Sequence, residues 1–382
     1  MPTIGIFGGG QVAKMTAQAA SIMDVEVVIF AHQADDPALK IAPKHLIGKW
    51  DDDDLLQQFA EMCDVVTLES EFVPLDSLKR IEALGTSVYA SSNTIEQVRD
   101  KLIQKRRMQQ SGIDVPRFRP IMVGSDVLEA SAEFGFPLIL KSRTHSYNGF
   151  GNVTIRRAHD IEPALEKLKG RELMAEEMVS FVRELAVIVT RGQNGDFRVY
   201  PVVETIHKHH ICHIVRCPAS IEESTAAIAT EMAVKAVEAI DGVGTFGVEL
   251  FELANNQVIY NEIAPRPHNS GHYTIEGIIT SQFENHIRAI LGWHLGDVAQ
   301  IAPATVMINM LGDGNGTPNP DALKEMLQVG GTHVHLYGKS EIREGRKMGH
   351  ITVLGYSTDG AEKVARLALS KLNLLRNTDA DD

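Results

Sequence analysis

The sequence predicts a mixed α/β and α+β chain in three units: a doubly wound parallel sheet at residues 1–100, a small lid at 101–178, and a mixed or antiparallel sheet at 179–382. Three observations carry this. Short apolar strands alternate with helical stretches as far as Tyr89, the pattern changes to short strands and helices from Val115, and alternating strands dominate after Glu184. At 382 residues the chain exceeds one ordinary core.

In the first unit, Thr3 to Phe7 reads as a buried strand, Gly8-Gly9-Gly10 as a turn and Gln11 to Ala20 as a helix. Strands at Val25 to Phe30 and Asp64 to Leu68 follow, with the acidic run Asp51 to Asp54 and then a helix between them. The glycine run lacks the GxGxxG spacing of dinucleotide sites, which argues against a dehydrogenase. It is either a tight turn or an anion seat at a helix N-terminus. Glu69 and Glu71 lie just past a strand's carboxyl end, where open α/β sheets place ligands; they either orient a substrate or decorate a polar loop. Ser77 to Leu84 and Ser87 to Tyr89 complete the unit. Asn93 to Met108 then reads as one helix with Lys101, Lys105, Arg106 and Arg107, for which a solvated face is the plain interpretation.

In the lid, Phe136 to Ser142 is an apolar strand carrying Lys141, a placement suited to meeting a phosphate. The glycine-containing loop Thr144 to Asn152 could close over a triphosphate. Leu173 to Met178 leads into a polar hinge that suits an adenine ring, with Met178 as an apolar face.

In the last unit, Glu184 to Thr190, Arg198 to Glu204 and Ile211 to Arg216 read as antiparallel strands, and Ser224 to Ile240 as a long helix. Thr245 to Phe251 and Val258 to Asn261 flank a turn at Ala254-Asn255-Asn256, a hairpin that can set Glu249 and Glu262 side by side. Two carboxylates suit a magnesium ion that takes its other oxygens from water and a nucleotide; a surface hairpin with solvated acids is the bland alternative. Arg266, His268, Asn269, Ser270 and His272 follow at once, offering a permanent cation and several hydrogen-bonding groups. Strands are expected at Met307 to Leu311, Thr332 to Tyr337 and Ile351 to Leu354. The turn Arg343 to His350 is either a phosphate clamp or a solvated loop, and Asn377 to Asp382 is an acidic tail.

Composition excludes several classes. A net charge of −13 argues against nucleic-acid binding, and no apolar run approaches the ~20 residues of a membrane span. The three cysteines show no CxxC spacing. With no basic leader at its start, the chain reads as cytoplasmic.

The order of these parts resembles the ATP-grasp superfamily, and within it the 5-(carboxyamino)imidazole ribonucleotide synthetases. The most specific stretches are GIFGGGQ at the start, YPVVETIHKHHICHIVRCPA at 200–219, NEIAPRPHNSGH at 261–272 and YGKSEIREGRKMGH at 337–350. The resemblance implies ATP, magnesium (two ions) and bicarbonate as cofactors and co-substrate, a homodimer with small-molecule substrates, and carboxylation of an aminoimidazole ribonucleotide in purine synthesis. It implies that Lys101 and Lys141 meet the nucleotide phosphates. Glu176, Glu177 and Val179 would meet adenine and Glu184 ribose, with Asn261 also on the nucleotide, while Glu249 and Glu262 hold magnesium. Arg266, His268 and Asn269 become catalytic, and Glu69, Glu71, Tyr147, Ser270, Lys339, Arg346 and Lys347 bind the remaining substrates. The chain departs from the family where Tyr147-Asn148-Gly149-Phe150-Gly151 replaces Tyr-Asp-Gly-Arg-Gly or Tyr-Asp-Gly-Lys-Gly, and where Phe72 follows Glu71. These departures motivate one alternative, a related ligase with a changed amine or acid; a second, a non-catalytic nucleotide-binding descendant, is disfavoured by the presence of Lys101, Lys141, Glu249 and Glu262 together.

Overall fold

The computed structural model describes residues 1–145 and 151–375. The first sheet is parallel, with strands β1 (Thr3–Phe7), β2 (Glu26–Ala31), β3 (Lys44–Ile47), β4 (Val65–Leu68) and β5 (Ser87–Tyr89) in the order β3-β2-β1-β4-β5. Helices α1 (Gln11–Ile22), α2 (Asp53–Glu61) and α3 (Leu75–Ala83) cover it. The acidic run works as a helix start. Asp52 accepts hydrogen bonds from the Asp54 and Leu55 amides, both at 3.1 Å, and so caps α2.

The expected helix over 93–108 is two helices, α4 (Ser92–Val98) and α5 (Lys101–Gln110). Asp100 breaks the run. Its carboxylate accepts from the Leu102 and Ile103 amides at 2.8 and 3.3 Å, capping α5, and it also takes the Arg143 guanidinium at 2.6 Å. That bond ties α5 to the lid.

The lid is a four-stranded antiparallel sheet, ordered β6-β9-β7-β8 from β6 (Phe118–Ile121), β7 (Leu138–Ser142), β8 (Asn152–Ile155) and β9 (Leu173–Glu177). Helices α6 (Gly124–Phe134) and α7 (Ile161–Lys167) pack on it around Val127, Leu138, Leu140 and Ile155.

The remaining strands form one nine-stranded sheet: β10 (Arg183–Arg191), β11 (Phe197–Val199), β12 (Val203–Lys208), β13 (Ile211–Cys217), β14 (Gly244–Glu252), β15 (Val258–Ala264), β16 (Ala304–Leu311), β17 (Thr332–Leu336) and β18 (Lys347–Gly355). Every pairing in it is antiparallel. Four helices accompany it: α8 (Glu223–Ala239), α9 (Thr274–Gly277), α10 (Gln282–Ile290) and α11 (Thr358–Ser370).

Helix α10 joins the two large sheets. Ile287 and Ile290 enter the apolar cluster of Ile4, Ile6 and Ile29. On the same helix His286 accepts from the Thr245 amide through Nδ1 at 3.0 Å, so its Nε2 carries the proton and donates to Thr67 Oγ1 at 2.8 Å. Burial depresses its pKa to about 3, so it serves as a neutral bridge. This joint fixes the carboxyl end of the first sheet against the face of the third.

Candidate active site

A cleft of about 1030 Å³ runs between the lid, the first sheet and the third. At one end, Met178, Val179, Phe181 and Phe251 supply apolar surface, with the Phe181 and Phe251 rings stacked at 4.6 Å. Glu184 lines the same end, and His207 Nδ1 lies 3.0 Å from its carboxylate. Burial lowers the pKa of His207, but Glu184 outweighs it and holds the ring above the usual histidine range. Glu177 is fixed by Arg117 at 2.8 Å at the lid's edge.

The lysines come next. Lys141 on β7 donates to Glu176 on the neighbouring strand, and Lys101 at the start of α5 donates to Glu262. The carboxylate of Glu176 is committed to lysines as a buried counter-charge, while the residue still lines the cleft beside the hinge expected at adenine. Lys105 corrects the solvated-face reading of α5: it is buried and lies 3.0 Å from Glu176.

Glu249 and Glu262 stand directly opposite each other in the β14–β15 register, brought there by a bulge that skips Asn261 between the Leu250–Tyr260 and Glu249–Glu262 pairs. Asn261 donates to Glu249 at 3.3 Å. Burial pushes both acids up, yet Lys101 brings Glu262 below the usual carboxylate range, while Glu249, facing Glu262, rises to about 7. Two acids that repel at this spacing fit a divalent cation with a preference for oxygen. Among the described residues no group of three or more His, Cys, Asp or Glu can hold a metal unaided, so magnesium here would draw further oxygens from water and a nucleotide.

Beyond the carboxylates, Arg266 bonds Glu71 at 2.8 Å. Glu71 thus orients the guanidinium from the first sheet. Burial opposes the charge of Arg266, but Glu71 raises its pKa further. His268 accepts at Nδ1 from Ser270, 2.8 Å to its hydroxyl, which places the ring proton on Nε2, 3.6 Å from Glu249. Burial and Arg266 hold His268 well below the usual histidine range, so the ring is neutral. Gly247 is required under it, because a Cβ there would meet His268 Cβ at 2.4 Å.

Two expected substrate groups are engaged elsewhere. Ser270 is buried behind His268 and does not line the cleft. Asn269 lines it, but its amide is locked in a reciprocal pair with Asn309, at 3.0 and 2.7 Å. Asn309 also donates to the Cys212 carbonyl at 2.9 Å. Asn309 and His207 escaped the sequence reading, although a fully buried amide inside the apolar run MINML is the same signal that marked Lys141.

Glu69 settles the glycine loop. Its carboxylate accepts from the Ala13 amide at 3.2 Å and from Gly10, so it occupies the α1 N-terminus where an external anion was one option. A Cβ at Gly8 would lie 2.1 Å from its Cγ. Gly8 and Gly10 leave room for this side chain, whereas a Cβ at Gly9 would meet Asp36 at 2.6 Å.

At the far end only Lys347 of the basic turn lines the cleft, while Arg346 and Lys339 flank it. Lys339 donates to the Lys347 carbonyl at 2.8 Å, and burial together with Arg346 and Lys347 lowers its pKa to about 8. Lys14 and Lys40, unforeseen, hold the carbonyls of Leu336 and Gly338 at 3.0 and 2.6 Å. Tyr147, Asn148 and Phe150 lie outside the described residues.

Known proteins share this arrangement. Residues 1–99 match the ribonucleotide synthetase preATP-grasp domain, 106–283 the ATP-grasp domain, and 305–364 the phosphoribosylaminoimidazole carboxylase C-terminal domain. The N5-carboxyaminoimidazole ribonucleotide synthase of Staphylococcus aureus is 36% identical over 94% of this chain and 95% of its own. The chain belongs to the N5-carboxyaminoimidazole ribonucleotide synthase family, with the ATP-grasp fold. The chloroplastic phosphoribosylaminoimidazole carboxylase of Vigna aconitifolia is 38% identical over 94% of this chain, which spans 65% of that protein's length. The N5-carboxyaminoimidazole synthase of Aspergillus clavatus, solved with ADP and 5-aminoimidazole ribonucleotide, superposes with a TM-score of 0.89 at 34% identity, covering 97% of this chain and 98% of that one. No described helix is long and apolar enough to cross a membrane.

Proposed function

We propose that the chain carboxylates 5-aminoimidazole ribonucleotide with ATP and bicarbonate in purine synthesis. The observation that carries this is the continuity of one cleft: lid lysine, paired carboxylates, Arg266 and Lys347 line a single space in that order of chemistry. The apolar end suits adenine, with Glu184 and His207 placed for ribose. Lys101 and Lys141 neutralise phosphate charge, and Glu249 and Glu262 hold magnesium, which when bound screens the transferred phosphoryl group.

A bicarbonate oxygen attacks the γ-phosphorus and ADP leaves, forming carboxyphosphate. The amine then attacks its carbonyl carbon, the bond from that carbon to the bridging oxygen breaks, inorganic phosphate departs and the amine loses a proton. Arg266, held by Glu71, supplies a fixed cation to the anions of both steps. Neutral His268 directs its Nε2 proton into the cleft as a hydrogen-bond donor. Asn309 keeps Asn269 in place in the wall. Lys347, with Lys339 and Arg346 beside it, receives the ribonucleotide phosphate, and the lid's enclosure protects a mixed anhydride that water would destroy.

The same reading makes the three sequence units a lid between two substrate-binding sheets, and the protein a cytoplasmic homodimer. ATP-dependent phosphate release with magnesium and bicarbonate tests it. Strong stimulation by 5-aminoimidazole ribonucleotide, abolished in Glu262→Ala, is expected. Absent stimulation with ATP still bound favours a changed amine, the second reading that Asn148 and Phe150 motivate, and a panel of amines and acids then identifies it.

A further inference from the structure

Beneath the nucleotide end of the cleft lies a buried charge cluster of two lysines on one acid. Glu176 is 2% exposed, receives the Lys141 ammonium from β7, and faces Lys105 of α5 at 3.0 Å. The lysines differ in freedom. Lys141 lines the cleft, whereas Lys105 does not. Lys105 is 3% exposed and sits 5.6 Å from the centroid of the Tyr260 ring. That ring is itself fully buried and fixed through its hydroxyl to Gln104 at 2.8 Å. Lys105 is therefore walled off from any ligand in the cleft.

We propose that Lys105 is a positioning residue that releases Lys141 to the nucleotide by keeping Glu176 paired. The inference rests on reading Lys141 as a phosphate ligand. With a single lysine partner, Glu176 would hold Lys141 tightly, because moving the ammonium toward a phosphate would strand a carboxylate that is almost wholly buried. A second, immobile ammonium removes that obstacle. Glu176 keeps one counter-ion when Lys141 turns away, and the cluster carries a net positive charge toward the cleft instead of a neutral pair. Lys101, whose own partner is Glu262, adds to that field from the other side. The arrangement also explains why α5 carries a lysine on a buried position, where an apolar residue would otherwise be favoured.

The test is titration calorimetry of ATP with magnesium against the full chain and four variants. Lys105→Met should weaken ATP binding by roughly ten- to a hundredfold, the factor lost with one charge-assisted contact. Lys105→Arg, which keeps the charge, should recover most of it. Lys105→Met with Glu176→Gln should recover affinity too, because Lys141 then has no buried charge to leave behind. A merely structural role would not be repaired by a second deletion of charge. Wild-type affinity in Lys105→Met, or a double variant as weak as the single one, overturns the proposal. Lys141→Met serves as the control on the underlying reading: if it binds ATP as tightly as the wild type, Lys141 is no phosphate ligand and both ideas fall together. Should Lys105→Met fold poorly, the charge-balanced double variant and the arginine variant decide alone.

Discussion

The paired carboxylates make a stability experiment with an unusual sign. Glu249 has an ordinary carboxyl pKa of 4.5 when unfolded, and in the fold burial and Glu262 raise it to about 7. At pH below the unfolded value both states hold the proton and the group contributes nothing. As pH rises from 4.5 to 7 the unfolded chain ionises first, so the folded state loses stability relative to it, and above 7 the full penalty applies. The shift corresponds to at most about 3 kcal/mol. Solvent reaching the side chain, 22% exposed, reduces that figure. Glu249→Gln removes the penalty while keeping the shape. Urea unfolding without magnesium or nucleotide, compared between wild type and variant at pH 5 and pH 8, reads Glu249 together with its neighbours Glu262 and His207, because titrations farther away are common to both chains. The variant should gain stability over the wild type between the two pH values by about 1 to 3 kcal/mol. A difference that stays constant, or moves the other way, would refute the claim that burial and Glu262 together disfavour the charge on Glu249.

Three further substitutions probe the supporting contacts. Asn309→Leu strands the Asn269 amide and the Cys212 carbonyl, which should cost about 2 to 4 kcal/mol in unfolding free energy and lower kcat by more than tenfold. Wild-type turnover in a folded variant would show that Asn269 needs no anchor. Glu71→Gln leaves Arg266 in place with a weaker partner, so the KM for bicarbonate should rise several-fold while ATP affinity measured by calorimetry holds. Gly8→Ala brings a Cβ to 2.1 Å from Glu69 at a backbone φ of +110° and should cost at least about 2 kcal/mol, read as a lowered Tm.

The β14–β15 hairpin was legible because alternation and an asparagine turn mark it locally, but strict pairing outward from that turn would set Glu249 opposite Asn261, and the register shift between Glu249 and Leu250 is what brings Glu262 across from Glu249. Lys141 was legible because a lone cation in an apolar strand needs a partner, although the partner that holds it here is Glu176. Lys105 was hidden by the opposite circumstance: surrounded by Lys101, Arg106 and Arg107, it looked like one more solvated cation, and only the α5 face packed on β15 separates it from exposed Arg106. The break at Asp100 had a sequence signal, an acid one residue before the new helix, masked by helical composition on both sides. Strand β3 is only four residues long, two of them polar, and lies at the sheet edge, so apolar patterning passes over it. The union of nine strands in one sheet, and the filling of the α1 N-terminus by Glu69, depend on partners dozens of residues apart, which periodicity does not encode.

The most direct test of the account follows the oxygen atoms. With bicarbonate labelled with ¹⁸O, carboxyphosphate chemistry transfers one bicarbonate oxygen to phosphorus, and that oxygen leaves with the phosphate. Mass spectrometry of the inorganic phosphate released during turnover with ATP and 5-aminoimidazole ribonucleotide should show one ¹⁸O atom per molecule. Phosphate carrying no label, at normal turnover, would mean that bicarbonate is never phosphorylated in this cleft.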